Sequence, residues 1–137
     1  MGLVAFLAIS GVLARFLSAE NAERDDVVAL LQAQAAGNVQ GMLDGQVGCR
    51  RSAACVAGAR ANATSLRRRG AVKILTLKSA TAYSLTGATG KTRVAWTVLG
   101  KLPVVQCVEV RRTGSFLAGI SVTLVSIGAP ISNEGDC

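Results

Sequence analysis

Five short apolar runs decide the fold: AVKILTL (residues 71–77), TAYSLT (81–86), TRVAWTV (92–98), PVVQCVEVRR (103–112) and LAGISVTLVSI (117–127). They are rich in β-branched residues, and apolar and polar side chains alternate within several of them, which predicts β-strands. Short links, most of them containing Gly or Pro, separate the runs, and links of this length join antiparallel neighbours. The segment therefore predicts a meander of four or five antiparallel strands with one dry face.

Helical patterns precede the strands. A first apolar stripe at helical spacing is formed by Val27, Val28, Leu30, Leu31 and Ala35. The acidic pair Asp25-Asp26 favours a helix start at this point, although the helix can also run unbroken from the N-terminal segment, and Gly37-Asn38 favours its end. Asn38 then caps a short second helix that ends near residues 45–48.

A third helix follows an Arg-Arg-Ser step. Ser52 caps it, and apolar residues recur at steps of three or four as far as Leu66. We expect Arg67, Arg68 and Arg69 in its last turn and Gly70 just beyond, because a helix C-terminus prefers basic residues followed by glycine. The predicted fold class is α+β, with an N-terminal apolar helix and then two or three helices packed on a curved four- to five-stranded antiparallel sheet.

The first seventeen residues form an apolar segment. Residues 1–14 carry no charge, and Arg15 is followed by two more apolar residues. A membrane-spanning helix needs about 20 apolar residues, and a secretory signal opens with basic residues, so neither interpretation fits completely and both stay open. We divide the chain into a membrane anchor or signal-like segment, residues 1–19, and an α+β domain, residues 20–137, and expect residues 1–17 to contact the membrane.

The compartment is indicated by four cysteines, Cys49, Cys55, Cys107 and Cys137. Their spacing contains no C-x-x-C pair, so disulfides are the simplest use, although four reduced buried thiols are an alternative. Of the three pairings, we favour Cys49–Cys55 with Cys107–Cys137, since a bridge would hold the polar C-terminal tail. The positive-inside rule, counted on Arg15 and Arg24, favours a cytoplasmic domain. The disulfides favour the opposite side, so we expect a single-pass protein of the cell membrane with an extracytoplasmic domain.

Charge and composition restrict the function. The chain has 15 Lys and Arg against 8 Asp and Glu, and its central part, residues 49–112, contains a single acid, Glu109. Such a charge attracts anions, and the candidate anion-binding surface consists of Arg67, Arg68, Arg69, Arg111 and Arg112. Aromatic residues for base stacking are few, so we do not expect nucleic acid as a partner. Histidine is absent, which excludes Ser/His/Asp and Cys/His catalysis and imidazole zinc sites, and we expect neither enzyme activity nor a metal or cofactor.

The helix-to-helix step VVALLQAQAAGNVQGML (residues 27–43) resembles the opening of nuclear-transport-factor-2-like (cystatin-like) domains, in which an apolar helix ends at a Gly-Asn or Gly-Asp step. Helices followed by a curved antiparallel sheet, over about residues 25–131, are also similar to that superfamily. With the preceding apolar segment, the chain resembles small single-span bacterial proteins that carry such a domain outside the cytoplasm, including mammalian-cell-entry-associated membrane proteins and assembly subunits of type IV secretion. The Asp with His or Tyr that the superfamily's enzymes use has no counterpart here, and Tyr83 alone does not restore it.

Three motifs have structural interpretations. GATGKT (residues 87–92) ends like a phosphate-binding loop, but Leu85 stands where the first Gly is required and a strand follows, so we interpret it as a hairpin turn. Asn62-Ala63-Thr64 matches a glycosylation acceptor but lies within the predicted third helix. For Glu109, an ion pair with Lys or Arg across the sheet is a better explanation than a catalytic base.

The function that we expect is protein interaction, with a partner or between copies, or envelope assembly by a non-catalytic, membrane-anchored domain. A first alternative is a small apolar ligand or lipid held in a cone between helices and sheet, lined by Tyr83, Val94 and Trp96. A second alternative is electrostatic binding of nucleic acid or another anionic polymer, which weakens steeply with salt.

Overall fold

The computed structural model describes residues 2–79, 87–115 and 118–137. Its helices come first, and the bounds are α1, Gly2–Ala36; α2, Val39–Asp44; a single 3-10 turn, Cys49–Arg51; and α3, Ala53–Ser65. The strands follow as β1, Val72–Ser79; β2, Gly87–Val98; β3, Val104–Ser115; and β4, Gly119–Ile127. The predicted α+β class and the order of helices and strands are confirmed.

The sheet is an antiparallel meander in the order β1-β2-β3-β4. The predicted run at residues 81–86 lies outside the described residues. The hairpin turn predicted at residues 87–92 is wrong, because this segment is the start of β2 and pairs with β3, with Gly90 opposite Val110 and Lys91 opposite Glu109. Long-range pairing with a twelve-residue neighbour outweighs the local turn preference of the glycines.

Helix α1 runs unbroken for 35 residues, so the alternative of a continuous first helix is confirmed. The start predicted at Asp25-Asp26 is wrong, since both residues lie in the middle of α1. Its buried side chains follow a helical period and form one stripe that faces the sheet: Ala19, Glu23, Val27, Leu30, Leu31, Gln34 and Ala35. Gly37, with a φ of 72°, ends the helix in the left-handed conformation that glycine tolerates.

The shorter helices begin where the sequence predicts. The side chain of Asn38 accepts a hydrogen bond from the amide of Gly41 at 3.0 Å, and that of Ser52 accepts one from the amide of Cys55 at 3.3 Å. The predicted end of α3 is wrong, because the helix stops at Ser65 and the three arginines follow it. The amide of Arg68 instead donates to the carbonyl of Ala35, at 2.8 Å, so this segment is tied to the end of α1.

A buried polar network crosses the core between α1 and the sheet. Gln106 Oε1 accepts hydrogen bonds from the indole Nε1 of Trp96, at 2.8 Å, and from Gln34 Nε2, at 2.9 Å. Gln106 Nε2 donates to the carbonyl of Gly128 at 2.9 Å. Gln34, Trp96 and Gln106 are all fully buried, so these bonds satisfy polar groups that water cannot reach.

Two disulfides, Cys49–Cys55 and Cys107–Cys137, join the favoured pairs, which confirms the pairing expected from the sequence. The first bridge links the 3-10 turn to α3. The second attaches the last residue of the chain to β3, and Arg93 on β2 donates hydrogen bonds to the carbonyls of Asn133 and Gly135. The C-terminal tail is therefore held against the sheet.

Candidate functional site

The most distinctive surface is the N-terminal part of α1, residues 2–18, which we call the arm. Among the described residues, α1 is the one helix that is long and apolar enough to cross a membrane, by length and composition only. The arm exposes its large apolar side chains, namely Leu3, Val4, Phe6, Leu7, Ile9, Val12, Leu13 and Leu17. At 1.5 Å per residue its length is about 26 Å, close to the hydrocarbon thickness of a bilayer of about 30 Å.

The base of the arm is fixed to the sheet by a buried ion pair. Glu23 on α1 pairs with Arg112 on β3, and they are 1% and 6% exposed. Thr92 Oγ1 on β2 donates to Glu23 Oε1 at 2.5 Å, and Arg112 also contacts the hydroxyl of Ser79 at 3.4 Å. One helix and three strands therefore meet where α1 leaves the domain.

An open cleft of about 390 Å³ lies beside this ion pair. Its walls come from α1, from the part of β1 where the pairing with β2 shifts in register after Ile74, and from the ion pair itself. The lining residues include Glu20, Arg24, Leu75 and Arg112. Both acidic and basic side chains line the cleft, so its electrostatic potential is not of one sign. We assign it to the junction between arm and domain.

The residues expected to line a ligand cone belong to the packed core. Val94 and Trp96 are 0% exposed, and Trp96 uses its indole nitrogen in the network with Gln106. Tyr83 lies outside the described residues. The structure thus places both described cone residues in contact with protein, and no observation on them favours a ligand.

The five candidate anion-binding arginines do not form one surface. Arg112 is buried and paired with Glu23, whereas Arg111, the next residue on β3, is exposed on the opposite face of the sheet. Arg67, Arg68 and Arg69 lie together and line an open cleft of about 540 Å³ beside the end of α1. Within this run, Arg68 stacks over the ring of Trp96, at 5.4 Å from its centroid, and donates to the carbonyl of Leu102 at 2.6 Å.

Two further sequence interpretations are settled by position. Asn62 is buried and donates to the carbonyl of Gly128 at 3.1 Å, so it is inaccessible for glycosylation in the folded domain. Glu109 lies opposite Lys91, but its carboxylate accepts a hydrogen bond from Ser126 at 3.2 Å, and among the described residues it forms no ion pair, contrary to the expectation. Partial desolvation, reinforced by the neighbouring charge of Asp25, raises the pKa of Asp26 above its ordinary value.

Glu23 is the site residue that sequence reasoning missed. Its signal is the four-residue spacing Ala19, Glu23, Val27, which places one acid in the apolar stripe of a helix. A carboxylate in such a stripe requires a buried cation as partner, and Arg112 lies on the inward-facing side of β3 with Val108 and Val110. Spacing alone does not identify the partner, because Glu23 and Arg112 are 89 positions apart.

Within the described residues, no group of three or more His, Cys, Asp or Glu side chains is arranged to hold a metal ion. No protein-family model, curated protein or solved structure matches the chain. The geometry of the arm and of the domain is therefore the basis for assigning a function.

Proposed function

We propose that the chain is a single-span membrane protein whose disulfide-bonded domain, residues 20–137, lies outside the cytoplasm and acts without catalysis in protein interaction or envelope assembly. The observation that carries this proposal is the exposure of the arm. Leu3, at the far end, is 73% exposed, and Leu17, near the base, is still 54% exposed. Monomeric soluble proteins rarely expose a continuous apolar surface of this size.

The arm and the domain share one helix, which supports an anchoring role. No break interrupts α1 between the exposed arm and the buried stripe that begins at Ala19. A helix satisfies its own backbone hydrogen bonds, so the arm can enter lipid without further partners. Arg15 lies two turns before Glu23, where its long side chain reaches the polar interface.

The disulfides support the placement of the domain outside the cytoplasm. Disulfides persist in oxidising compartments and are rare in the cytosol. The two bridges use all four cysteines of the chain. Arg15 and Arg24 on the domain side of the arm favour the reverse orientation by the positive-inside rule. We give the disulfides more weight, since two arginines are a weak topological signal.

The resemblance to nuclear-transport-factor-2-like domains belongs to the same proposal. It is supported by the helix step at Gly37-Asn38 and by helices that pack on one face of an antiparallel sheet. The packed core around Trp96 suits an interaction domain better than a ligand carrier.

The experiment is a protease-accessibility assay on cells that express the full chain, combined with thiol alkylation under non-reducing conditions. We expect protease added from outside to degrade the domain, and alkylation to find no free thiol. Leu7→Glu with Val12→Glu should release the protein from the membrane fraction, whereas the matched leucine variant Leu75→Glu, outside the arm, should not. A protected domain with four free thiols, or an arm variant that stays membrane-bound, would overturn the proposal.

A further inference from the structure

The turn between β2 and β3 presents two leucines to solvent at the end of the domain far from the arm. Leu99 is 97% exposed and Leu102 is 82% exposed, more than Leu3, which at 73% is the most exposed large apolar side chain described in the arm. Neither side chain contributes to the core. Two leucines exposed to this degree within one four-residue turn form a small apolar feature that a second surface can cover.

The turn is held in one conformation by several hydrogen bonds. The amide of Lys101 donates to the carbonyl of Val98 at 3.0 Å, and Thr97 Oγ1 donates to the carbonyl of Lys101 at 2.7 Å. Arg68 donates to the carbonyl of Leu102 at 2.6 Å, and Gly100 has a φ of 77°, which suits glycine. The two leucines are therefore presented by a preorganised turn.

Basic residues occur in the turn and in the segment that is bonded to it. Lys101 lies between them in the turn, and the bond from Arg68 brings the Arg67–Arg69 segment beside the turn. Gly70 packs so closely on β2 that a Cβ at this position would lie 2.8 Å from Val98 Cγ1. No Asp or Glu occurs between residues 45 and 108. We call Leu99–Leu102 with Arg67 and Arg69 the tip.

We infer that the tip docks on an anionic lipid surface other than the bilayer that holds the arm. Its two components match such a surface: protruding leucines enter the apolar region, and Arg67, Arg69 and Lys101 pair with lipid phosphates. A bilayer needs no complementary pocket, whereas protein interfaces favour aromatic residues and disfavour lysine, and the tip has a lysine and no aromatic residue.

The position of the tip excludes the arm's own bilayer and separates the tip from the acids of α1 in a copy beside it. Ala35, which the Arg68 amide contacts, lies 16 residues beyond Ala19, or about 24 Å along the helix axis. The acidic residues of α1, Glu20, Asp25 and Asp26, lie nearer the arm. Copies anchored in one membrane hold their tips at one height and these acids at another, so tip and acids do not meet.

The test uses the full chain inserted by its arm into nanodiscs of phosphatidylcholine, to which vesicles are added. We expect vesicles of phosphatidylcholine with phosphatidylglycerol to capture the nanodiscs, vesicles of phosphatidylcholine alone not to, and capture to weaken as salt is added. Recovery of the chain with nanodiscs reports on the arm, and capture by vesicles reports on the tip. A failure of this inference can therefore be distinguished from a failure of the proposed function.

Variants separate the two components of the tip. Each cation near an anionic surface raises the binding affinity roughly fivefold, so Arg67→Gln with Arg69→Gln should weaken capture by roughly thirtyfold at low salt. Leu99→Ser with Leu102→Ser should weaken it by about tenfold or more. Leu75→Ser and Arg111→Gln, exposed leucine and arginine controls on the sheet, should have much smaller effects.

Because Trp96 is the single tryptophan and lies in the core, unchanged fluorescence shows that each variant is folded. Equal capture by neutral and anionic vesicles, or folded tip variants that capture as well as the unmodified chain, would overturn the inference. The second result would be expected if the tip instead binds a protein.

Discussion

Glu23 on α1 and Arg112 on β3 form an ion pair at the point where the arm leaves the domain. The stripe of buried residues on α1 begins one turn earlier, at Ala19. Arg112 is on the twelve-residue strand β3, which also carries the second disulfide at Cys107. The ion pair therefore joins the arm's helix to a strand in the interior of the sheet.

Removing one member of this pair is expected to be strongly destabilising. Glu23→Ala leaves the Arg112 guanidinium buried without its countercharge, and we expect the free energy of unfolding to fall by about 3–5 kcal/mol. The double variant Glu23→Leu with Arg112→Met should recover most of the loss, because an apolar pair has no desolvation cost. Denaturant titration of the full chain in detergent measures both.

The exposed pair Arg50–Asp44 is the matched control for the buried one. Both of its side chains are more than half exposed, so Asp44→Ala should change the free energy of unfolding by about 1 kcal/mol or less. Equal effects of Glu23→Ala and Asp44→Ala would contradict the role that we assign to the buried pair.

Gln106 is expected to be the most sensitive polar residue of the core. Gln106→Met keeps the volume but leaves the indole of Trp96 and the Nε2 of Gln34 without this partner, and each such loss costs about 1–3 kcal/mol. Unfolding followed by Trp96 fluorescence measures the effect. Thr123→Val, which removes a hydroxyl that bonds the carbonyl of Arg111 at the sheet surface, is the control. A loss no larger than that of the control would show that the network is dispensable.

Local hydrogen bonds of the fold could be predicted from the sequence, and long-range ones could not. The caps at Asn38 and Ser52 join residues three positions apart, so the sequence contains both partners within one turn. The start of β2 at Gly87 was missed, because its strand conformation depends on pairing with residues of β3 more than 20 positions away. Glycine-rich composition alone favours a turn there.

The same distinction applies to the candidate site. The apolar arm and the cysteine pairing follow from composition and from the position of Cys137 at a polar end, and both were predicted. The three consecutive arginines look equivalent in sequence, yet Arg68 alone reaches Trp96 and Leu102. Arg111 and Arg112 are adjacent, but strand alternation puts one in solvent and the other in the core.

The two disulfides should differ in the stability that they contribute. The loop closed by Cys107–Cys137 has a sequence separation of 30, against 6 for Cys49–Cys55. In the chain-entropy account, the longer loop contributes about 3.7 kcal/mol and the shorter about 2.4 kcal/mol. We expect Cys107→Ala with Cys137→Ala to lower the denaturation midpoint further than Cys49→Ala with Cys55→Ala. The opposite order would show that native contacts, and not loop length, determine the effect.

Asp26 is expected to make stability fall slightly as pH rises. Its pKa in the folded protein is raised by desolvation and by Asp25, so the folded state retains the proton at a pH where the unfolded chain has lost it. Ionisation of Asp26 therefore lowers the free energy of unfolding. This loss begins near pH 4 and reaches its full size above the pKa that Asp26 has in the folded protein. Asp26→Asn should be more stable than the unmodified chain at neutral pH, and the difference should vanish below about pH 4. Denaturant titrations of both proteins at acid and neutral pH test this, and a difference that grows towards acid pH would contradict it.

Arg68 is expected to be the only stability determinant among the three consecutive arginines. Arg68→Ala removes the hydrogen bond to Leu102 and the stacking on Trp96, and since the side chain is half-buried we expect a loss of about 1–2 kcal/mol. Arg69→Ala, at an exposed position, should stay within about 0.5 kcal/mol. Arg68→Lys should be intermediate, because a lysine keeps the charge but cannot stack as a planar group. Denaturant titration followed by Trp96 fluorescence compares the three, and equal losses at positions 68 and 69 would mean that the run acts only through its net charge.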